Sequence, residues 1–308
     1  MNVSYLVSLY NKADYIQTTL AAIAVELADT GGEIVVYDDA STDNSVAQLL
    51  ASPHSGLVRL IHGEVNGGCV LAASKLICEA RHEFVRFVDA DDLLVPGSTR
   101  GMIEALLNGG FDFVYGEISL PDTGIDKQSP VWRAQFIAEP LLSVLRSTAF
   151  NPSTMLIRTA LLRRTAPLVV TLRHAQDFQM GVRMALQGAR FGRIDVTVAF
   201  HPAEEAGRLS SRMAEMFGEM ALFLIQEAQV ADIPLPALRY AARRYTGRYL
   251  RYAAREAIIR PGPWQRLRLR LRGFVAPLAN QDFALHTIGA VAQSFLLDRE
   301  MVRKRRAP

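Results

Sequence analysis

The stretch VRFVDADDLLVPGS, residues 85–98, passes from a β-branched and aromatic run into three carboxylates, Asp89, Asp91 and Asp92. The run reads as a buried strand, and Pro96-Gly97 marks a turn before the next element. Acids gathered at the end of a buried strand have two readings. Either Asp92 caps the following turn while the others stay solvated, or the cluster holds a divalent cation. Such a cation takes one or two carboxylate oxygens and fills its remaining positions with phosphates and water.

The neighbouring sequence decides where that strand sits. Runs VSYLVSL (3–9), EIVVY (33–37), LVRLI (57–61) and FVRFV (84–88) alternate with helical patterns near 14–28, 43–51 and 69–80. This rhythm predicts an α/β fold, a mostly parallel sheet with helices on both faces, and ligand sites at the carboxyl ends of the strands. YDDASTDN follows the second run and DADD the fourth, so both acid clusters fall at such ends.

Downstream, a helix is expected after Pro96 and a strand over FDFVYGEI (111–118). Residues 119–138, with Pro121, Gly124 and Pro130, read as a long loop, a length that compact domains usually keep for function. A further helical pattern lies near 139–147. In DFQMGVRMALQG, residues Phe178, Val182, Ala185 and Leu186 share a helical face and Gly188 suits its carboxyl-terminal cap. From 213 onward the pattern is helical almost throughout. The expected organisation is an α/β domain over 1–212 and a helical region over 213–308.

Half of the 308 residues are hydrophobic and 8% are aromatic, enough for a full core and too many for wholesale disorder. No segment approaches the ~18–20 uninterrupted apolar residues of a membrane span. The amino terminus enters a strand-like run directly, so no signal peptide is expected, and the chain is placed in the cytoplasm. Cys69 and Cys78 have neither disulfide nor metal-site spacing and are expected as small buried side chains.

The acid clusters have company. SLYNKADYIQTTL (8–20), VVYDDASTDNSV (35–46), NGGC (66–69), DADD (89–92) and RHAQDFQMGVRMALQG (173–188) follow one another along the chain. In this order the set resembles the inverting glycosyltransferases of family 2, with the GT-A fold of nucleotide-diphospho-sugar transferases, over about residues 1–212. The resemblance implies that Ser8 and Tyr10 line the base and ribose pocket. Asp39 would accept the imide N–H of a uracil or thymine, with Asp38 orienting the loop. Asp89 would meet the ribose, and Asp91, with Asp92 as the alternative, would bind Mg2+ or Mn2+. Asp177 stands at the family's general base. The family usually has another acid before it, where this chain has Gln176, so Asp177 is expected to be less prone to a raised pKa than a paired acid. A second departure is LAASKL: Ala73 and Ser74 stand where the family often carries an Arg-Asn pair, with Lys75 alongside. His201 and Arg208, in AFHPAEEAGRLSSRM (199–213), are the candidates for contact with the diphosphate or metal.

The reaction implied by the resemblance is a metal-dependent transfer of a sugar from a nucleotide-diphospho-sugar, UDP- or dTDP-linked, to a hydroxyl. The acceptor would be a sugar or a lipid-linked sugar, in cell-surface polysaccharide or glycolipid synthesis. The alternative is a non-catalytic relative that binds nucleotide sugar or serves as a membrane-associated scaffold. A sugar-phosphate nucleotidyltransferase would need a Gly-rich, basic phosphate loop near the amino terminus, which this chain lacks.

The charge is uneven. Residues 1–212 carry 18 basic and 23 acidic side chains, and residues 213–308 carry 16 and 8. Between Arg239 and Arg272 there are 11 arginines and one acid, Glu256, interleaved with Tyr240, Tyr245, Tyr249, Tyr252 and Trp264. Two readings stand: a solvated face of helices that pack through their Tyr and Leu residues, or a peripheral surface for anionic lipid on the inner membrane face. No nucleic-acid-binding module is recognisable, so no nucleic-acid partner is expected.

Overall fold

A computed structural model describes residues 2–119, 132–146, 151–201, 213–255 and 262–306. The chain divides into two compact units, Met1–Glu204 and Glu205–Pro308.

The first unit opens with β1 (Val3–Leu9), α1 (Ile16–Thr30), β2 (Gly32–Asp38), α2 (Ser45–Ala51), β3 (Val58–His62), α3 (Cys69–Glu79) and β4 (Phe84–Asp89). These four strands lie in the order β3-β2-β1-β4, and every pairing among them is parallel. Their near-continuous apolar sequences suit strands covered on both faces: Val3, Tyr5, Leu6, Val7, Ile34, Val35, Val36 and Val85 are all fully buried. Gly32 makes the entry into β2 possible. Its φ is +127°, and a Cβ there would lie 1.9 Å from the Val3 carbonyl oxygen.

After β1 the chain crosses toward β2 and β3; after β3 it returns through α3 to place β4 on the other side of β1. The connections leaving β1 and β4 therefore diverge, which opens a crevice at their carboxyl ends.

The second half of the unit comprises β5 (Leu93–Leu94), α4 (Ser98–Gly109), β6 (Phe113–Ser119), β7 (Ala134–Phe136), α5 (Pro140–Arg146), β8 (Met155–Arg158), α6 (Thr159–Thr165), α7 (Gln176–Leu186) and β9 (Phe191–Phe200). The sheet continues from β4 as β8-β6-β9-β5, with β7 also on β9. Here β8 is antiparallel to both β4 and β6, while β6 and β9 are parallel. The sheet is thus mixed beyond its parallel amino-terminal half. The expected 119–138 loop contains a short strand, β7, and Trp132, which packs against the core; residues 120–131 lie outside the described ones.

The FVRFV run carries a charge through the core. Arg86 on β4 is fully buried. Its Nη1 donates to Ser98 Oγ at 2.8 Å and Thr99 Oγ1 at 2.5 Å, its Nη2 to the Val198 carbonyl at 2.8 Å, and it faces Glu26 of α1 at 3.5 Å. Glu26 in turn accepts the backbone N–H groups of Gly97 at 2.5 Å and Thr99 at 2.7 Å, capping the first turn of α4.

The second unit is helical: α8 (Met213–Glu227), α9 (Leu235–Arg255), α10 (Pro263–Val275) and α11 (Gln281–Arg306). Its core holds Phe217, Phe223, Tyr245, Tyr249, Ile288 and Phe295, with the Phe217 and Tyr245 rings 5.8 Å apart. The arginine-rich α9 hides its apolar stripe here, with Ala241, Ala242, Tyr245, Tyr249 and Ala253 buried.

Candidate active site

Parallel register brings the strand ends to one level: Ser8 pairs with Asp89 and Leu9 with Asp38. The segments leaving β1, β2 and β4 are therefore neighbours by construction. The first two are stitched together. Asn11 Oδ1 accepts the Thr42 N–H at 2.8 Å, and the Lys12 N–H donates to Ser45 Oγ at 2.7 Å.

Asn11, Ala40 and Ala175 have left-handed backbone, with φ of 52°, 58° and 64°. Each lies in a segment that carries candidate residues, and each such conformation costs about 1–3 kcal/mol unless its surroundings impose it. Observed strain of this kind points to a site whose geometry is selected over local comfort.

Ser8 is half-buried, and Tyr10 is 42% exposed at the strand end. Asp38 and Asp39 are both buried. Asp38 accepts the Ser41 N–H at 3.1 Å, while Asp39 takes the N–H of Gly67 on one oxygen and that of Gly68 on the other, each at 2.8 Å. Asp39 thus anchors the NGG loop, with one lone pair free on each oxygen. Burial pushes its pKa up, and the two glycine N–H groups pull it back. Gly68 is at φ +85°, and a Cβ there would come within 3.0 Å of the Arg173 carbonyl, so the loop closes against the segment before α7 only with glycine.

The DADD turn is held from three sides. Lys12 Nζ meets Asp91 Oδ2 at 2.6 Å. Ser153, in the turn before β8, donates its hydroxyl to Asp92 Oδ2 at 2.5 Å and accepts the Asp89 N–H at 2.9 Å. His201, just after β9, places Nδ1 against the other oxygen of Asp92. Fully buried Asp92 thus has one protein partner on each oxygen, as Asp39 does, whereas Asp91 faces a single long cation. Asp89 is pushed well above the carboxylate range, first by burial and then by Asp92, Asp91 and Asp177.

Asp177 is the second residue of α7, turned into place by left-handed Ala175. Its Oδ1 accepts the Phe178 N–H at 2.8 Å. With Gln176 before it there is no adjacent like charge, yet its pKa rises to about 6, because the protein packed around the carboxyl penalises its charged form. The field of Asp177 reaches Asp89, so an acid 88 positions downstream shares the crevice with the strand-end cluster.

The structure thus brings Ser8, Asp89, Asp91, Asp92, Asp177 and His201 to one region. Arg208 lies outside the described residues. Ala73 is buried on α3, Ser74 is half-buried and Lys75 is exposed. The cysteines are not buried as expected: Cys78 is exposed, and Cys69 is half-buried, its sulfur 3.0 Å from the Arg173 carbonyl and 2.8 Å from Gln176 Oε1, either of which can accept its one S–H. A polar α3 amino terminus gives the thiol partners that an apolar core would not.

The sequence reading missed Lys12 and Ser153. Lys12 lay inside a quoted motif, but its partner is 79 residues away. Ser153 sits in a local turn, with Asn151 Oδ1 accepting its N–H at 2.8 Å, but nothing local announced Asp92.

The donor set fits a divalent cation. Four carboxylates gather here against Lys12 and the His201 ring, and a histidine that gives one ring nitrogen to a carboxylate is the usual arrangement of a metal-binding imidazole. Among the described residues no three His, Cys, Asp or Glu side chains form a cage. A cation here would be completed by substrate oxygens, as is usual for Mg2+ at phosphate sites.

Residues 4–168 match the family profile described as "Glycosyl transferase family 2". The succinoglycan biosynthesis protein ExoU of Rhizobium meliloti (strain 1021) is 26% identical over 213 residues, 62% of this chain and 58% of that protein. The chain spans about three fifths or less of the curated relatives it matches. Among solved structures, S. aureus TarS 1–349 in complex with UDP-GlcNAc is similar with a TM-score of 0.69 at 20% identity, over 99% of this chain and 92% of that one. The mannosyltransferase PcManGT from Pyrobaculum calidifontis, in complex with GDP-Man and Mn2+, gives 0.62 at 19% identity, over 97% and 88%.

Proposed function

Because this chain belongs to glycosyltransferase family 2 and has the GT-A fold, we propose that it transfers a sugar from a nucleoside-diphosphate donor to a hydroxyl acceptor, inverting the anomeric carbon. What supports this reading is that the charge of Asp177 is felt at Asp89, which sets it near the strand-end acids.

The roles rest on the surroundings. Tyr10, exposed beside Ser8, offers a ring to the base, and Asp39 accepts its imide N–H on the lone pairs left by Gly67 and Gly68. This favours uridine or thymidine diphosphates. Asp89 meets the ribose. Asp91 and His201 would hold Mg2+ or Mn2+, whose chemistry there is Lewis-acid neutralisation of charge on the leaving diphosphate. Asp92 orients His201, and Ser153 fixes Asp92. Asp177 accepts the proton of the attacking hydroxyl; a base with a pKa of about 6 is ionised at neutral pH and still basic enough to be useful.

The sugar is read as a hexose or N-acetylhexosamine and the acceptor as a growing cell-surface polysaccharide or glycolipid, in keeping with relatives named for succinoglycan and poly-β-1,6-N-acetyl-D-glucosamine synthesis. No described helix is long and apolar enough to cross a membrane. The basic tail is read as a surface for anionic lipid on the cytoplasmic side, near such an acceptor.

A panel of nucleotide sugars, assayed for hydrolysis and for binding with and without EDTA, tests the reading. UDP- or dTDP-sugars should bind only with metal, and Asp91→Asn should weaken that binding about tenfold or more, the size of a lost charged contact. Equal binding of adenosine diphosphate, or full affinity in EDTA, would sink the assignments of Asp39 and Asp91. Tight donor binding with no turnover on any acceptor would instead leave a nucleotide-sugar-binding relative.

A further inference from the structure

Helix α10 has two apolar faces, and its own unit covers one. Leu269 and Gly273, with Ala276 in the turn beyond it, are buried. The other face is bare: Trp264 is 80% exposed, Phe274 84%, and Leu278 just past the helix 86%, with Leu267, Leu271 and Val275 also exposed. At about 100° per residue, the five α10 positions fall on one arc about 100° wide. On the same projection Arg270 borders one edge, and Arg268 and Arg272 the other. Residues 257–281 contain no Asp or Glu. Arg268 and Arg270 have no hydrogen bond or ion pair among the described residues. On the Arg268 and Arg272 side the helix borders a cavity of about 720 Å3, lined also by Trp264, Ile225, Leu285 and His286.

We propose that α10 is an in-plane anchor for an anionic lipid surface. Trp264, Leu267, Leu271 and Phe274 enter the acyl boundary, and the flanking arginines hold lipid phosphates. This rests on the reading of the tail as a lipid surface and adds the face that inserts. An apolar arc with cations on both borders matches a bilayer boundary, where apolar stems sink and guanidinium heads stay at the phosphates. A second copy of the chain fits less well, because a two-fold contact of this stripe would press arginine borders together. A nucleic-acid strand would need a series of rings for its bases, and the arc holds two leucines and a valine beside one indole and one phenyl ring.

The full chain is to be mixed with vesicles of phosphatidylcholine alone or with added phosphatidylglycerol, and followed by co-sedimentation and tryptophan emission. Trp264 is one of two tryptophans, so a Trp264→Phe control isolates its signal. Binding should require phosphatidylglycerol, and emission should shift to the blue on binding in the wild type but not in Trp264→Phe. The Leu271→Gln/Phe274→Gln variant, altered only at exposed positions, should keep its melting temperature and lose about tenfold or more in vesicle affinity. Binding that persists in this variant, with no blue shift in the wild type, overturns insertion while leaving the tail an electrostatic lipid surface. No binding to either vesicle overturns both readings. A wild-type dimer that the double variant converts to monomer, without vesicle binding, assigns the stripe to a second copy instead.

Discussion

Asp177 is half-buried, and the rise of its pKa to about 6 has opposite consequences for rate and for stability. A base must be ionised, so turnover should climb with pH through about 6 and level off above it. Asp177→Asn should cost about 10²–10⁴ in rate, since the amide keeps the shape but cannot take the proton. Stability runs the other way. The unfolded carboxyl titrates near 3.9, so between about pH 4 and 6 the folded chain holds the proton more tightly. The contribution of Asp177 to stability is therefore fullest below that window and falls as pH rises through it. The Asn variant, free of this penalty, should be more stable by about 1–3 kcal/mol at pH 7 and gain little at pH 4. Urea melts at the two pH values, beside a transfer assay, check both halves. An Asn variant that is fully active would place the base elsewhere, and one that is less stable at pH 7 would mean that burial does not set this pKa.

At the scale of elements, what the sequence made legible was local. VSYLVSL, FVRFV and their partners signal strands because β-branched runs of that length between helical patterns have few other uses, and β1 to β4 lie where the runs do. The acid clusters were legible because a crossover topology puts strand ends together. Antiparallel β8, two-residue β5 and three-residue β7 were not, since pairing partners far along the chain define them. Lys12 and Ser153 escaped for the same reason. Arg86 is the instructive case: the run around it reads as a buried strand, but nothing local names the partner of its charge, Glu26, 60 positions away. The pair joins α1, β4, β9 and the start of α4, so it should be costly to halve. Glu26→Ala leaves a fully buried guanidinium without its counter-charge and α4 without its cap, and should destabilise by about 3–5 kcal/mol. Arg86→Met with Glu26→Gln removes both charges together and should cost clearly less. Denaturation midpoints of the two variants decide it. Equal losses would mean that packing, and not charge, is what Arg86 contributes.

At the scale of the whole molecule, an acidic amino-terminal stretch and a basic carboxyl-terminal one imply interactions of different range. Donor binding is expected to depend on groups a few ångströms from the phosphates, several of them buried, where salt screens weakly. The surface attraction proposed between the arginine-rich region and lipid would act over the Debye length, which falls from about 14 to about 4 Å as salt rises from about 0.05 to 0.5 M. Over that range vesicle association should fall about tenfold or more, while metal-dependent nucleotide affinity should change by less than about threefold. The residual vesicle binding at high salt should be the part carried by Trp264, Leu267, Leu271 and Phe274, because apolar insertion strengthens slightly as salt is added. Titrating salt against both readouts on one preparation separates the contributions. If nucleotide affinity fell in step with vesicle binding, long-range charge would be setting donor affinity, and the local roles given to Asp39 and Asp91 would be too large.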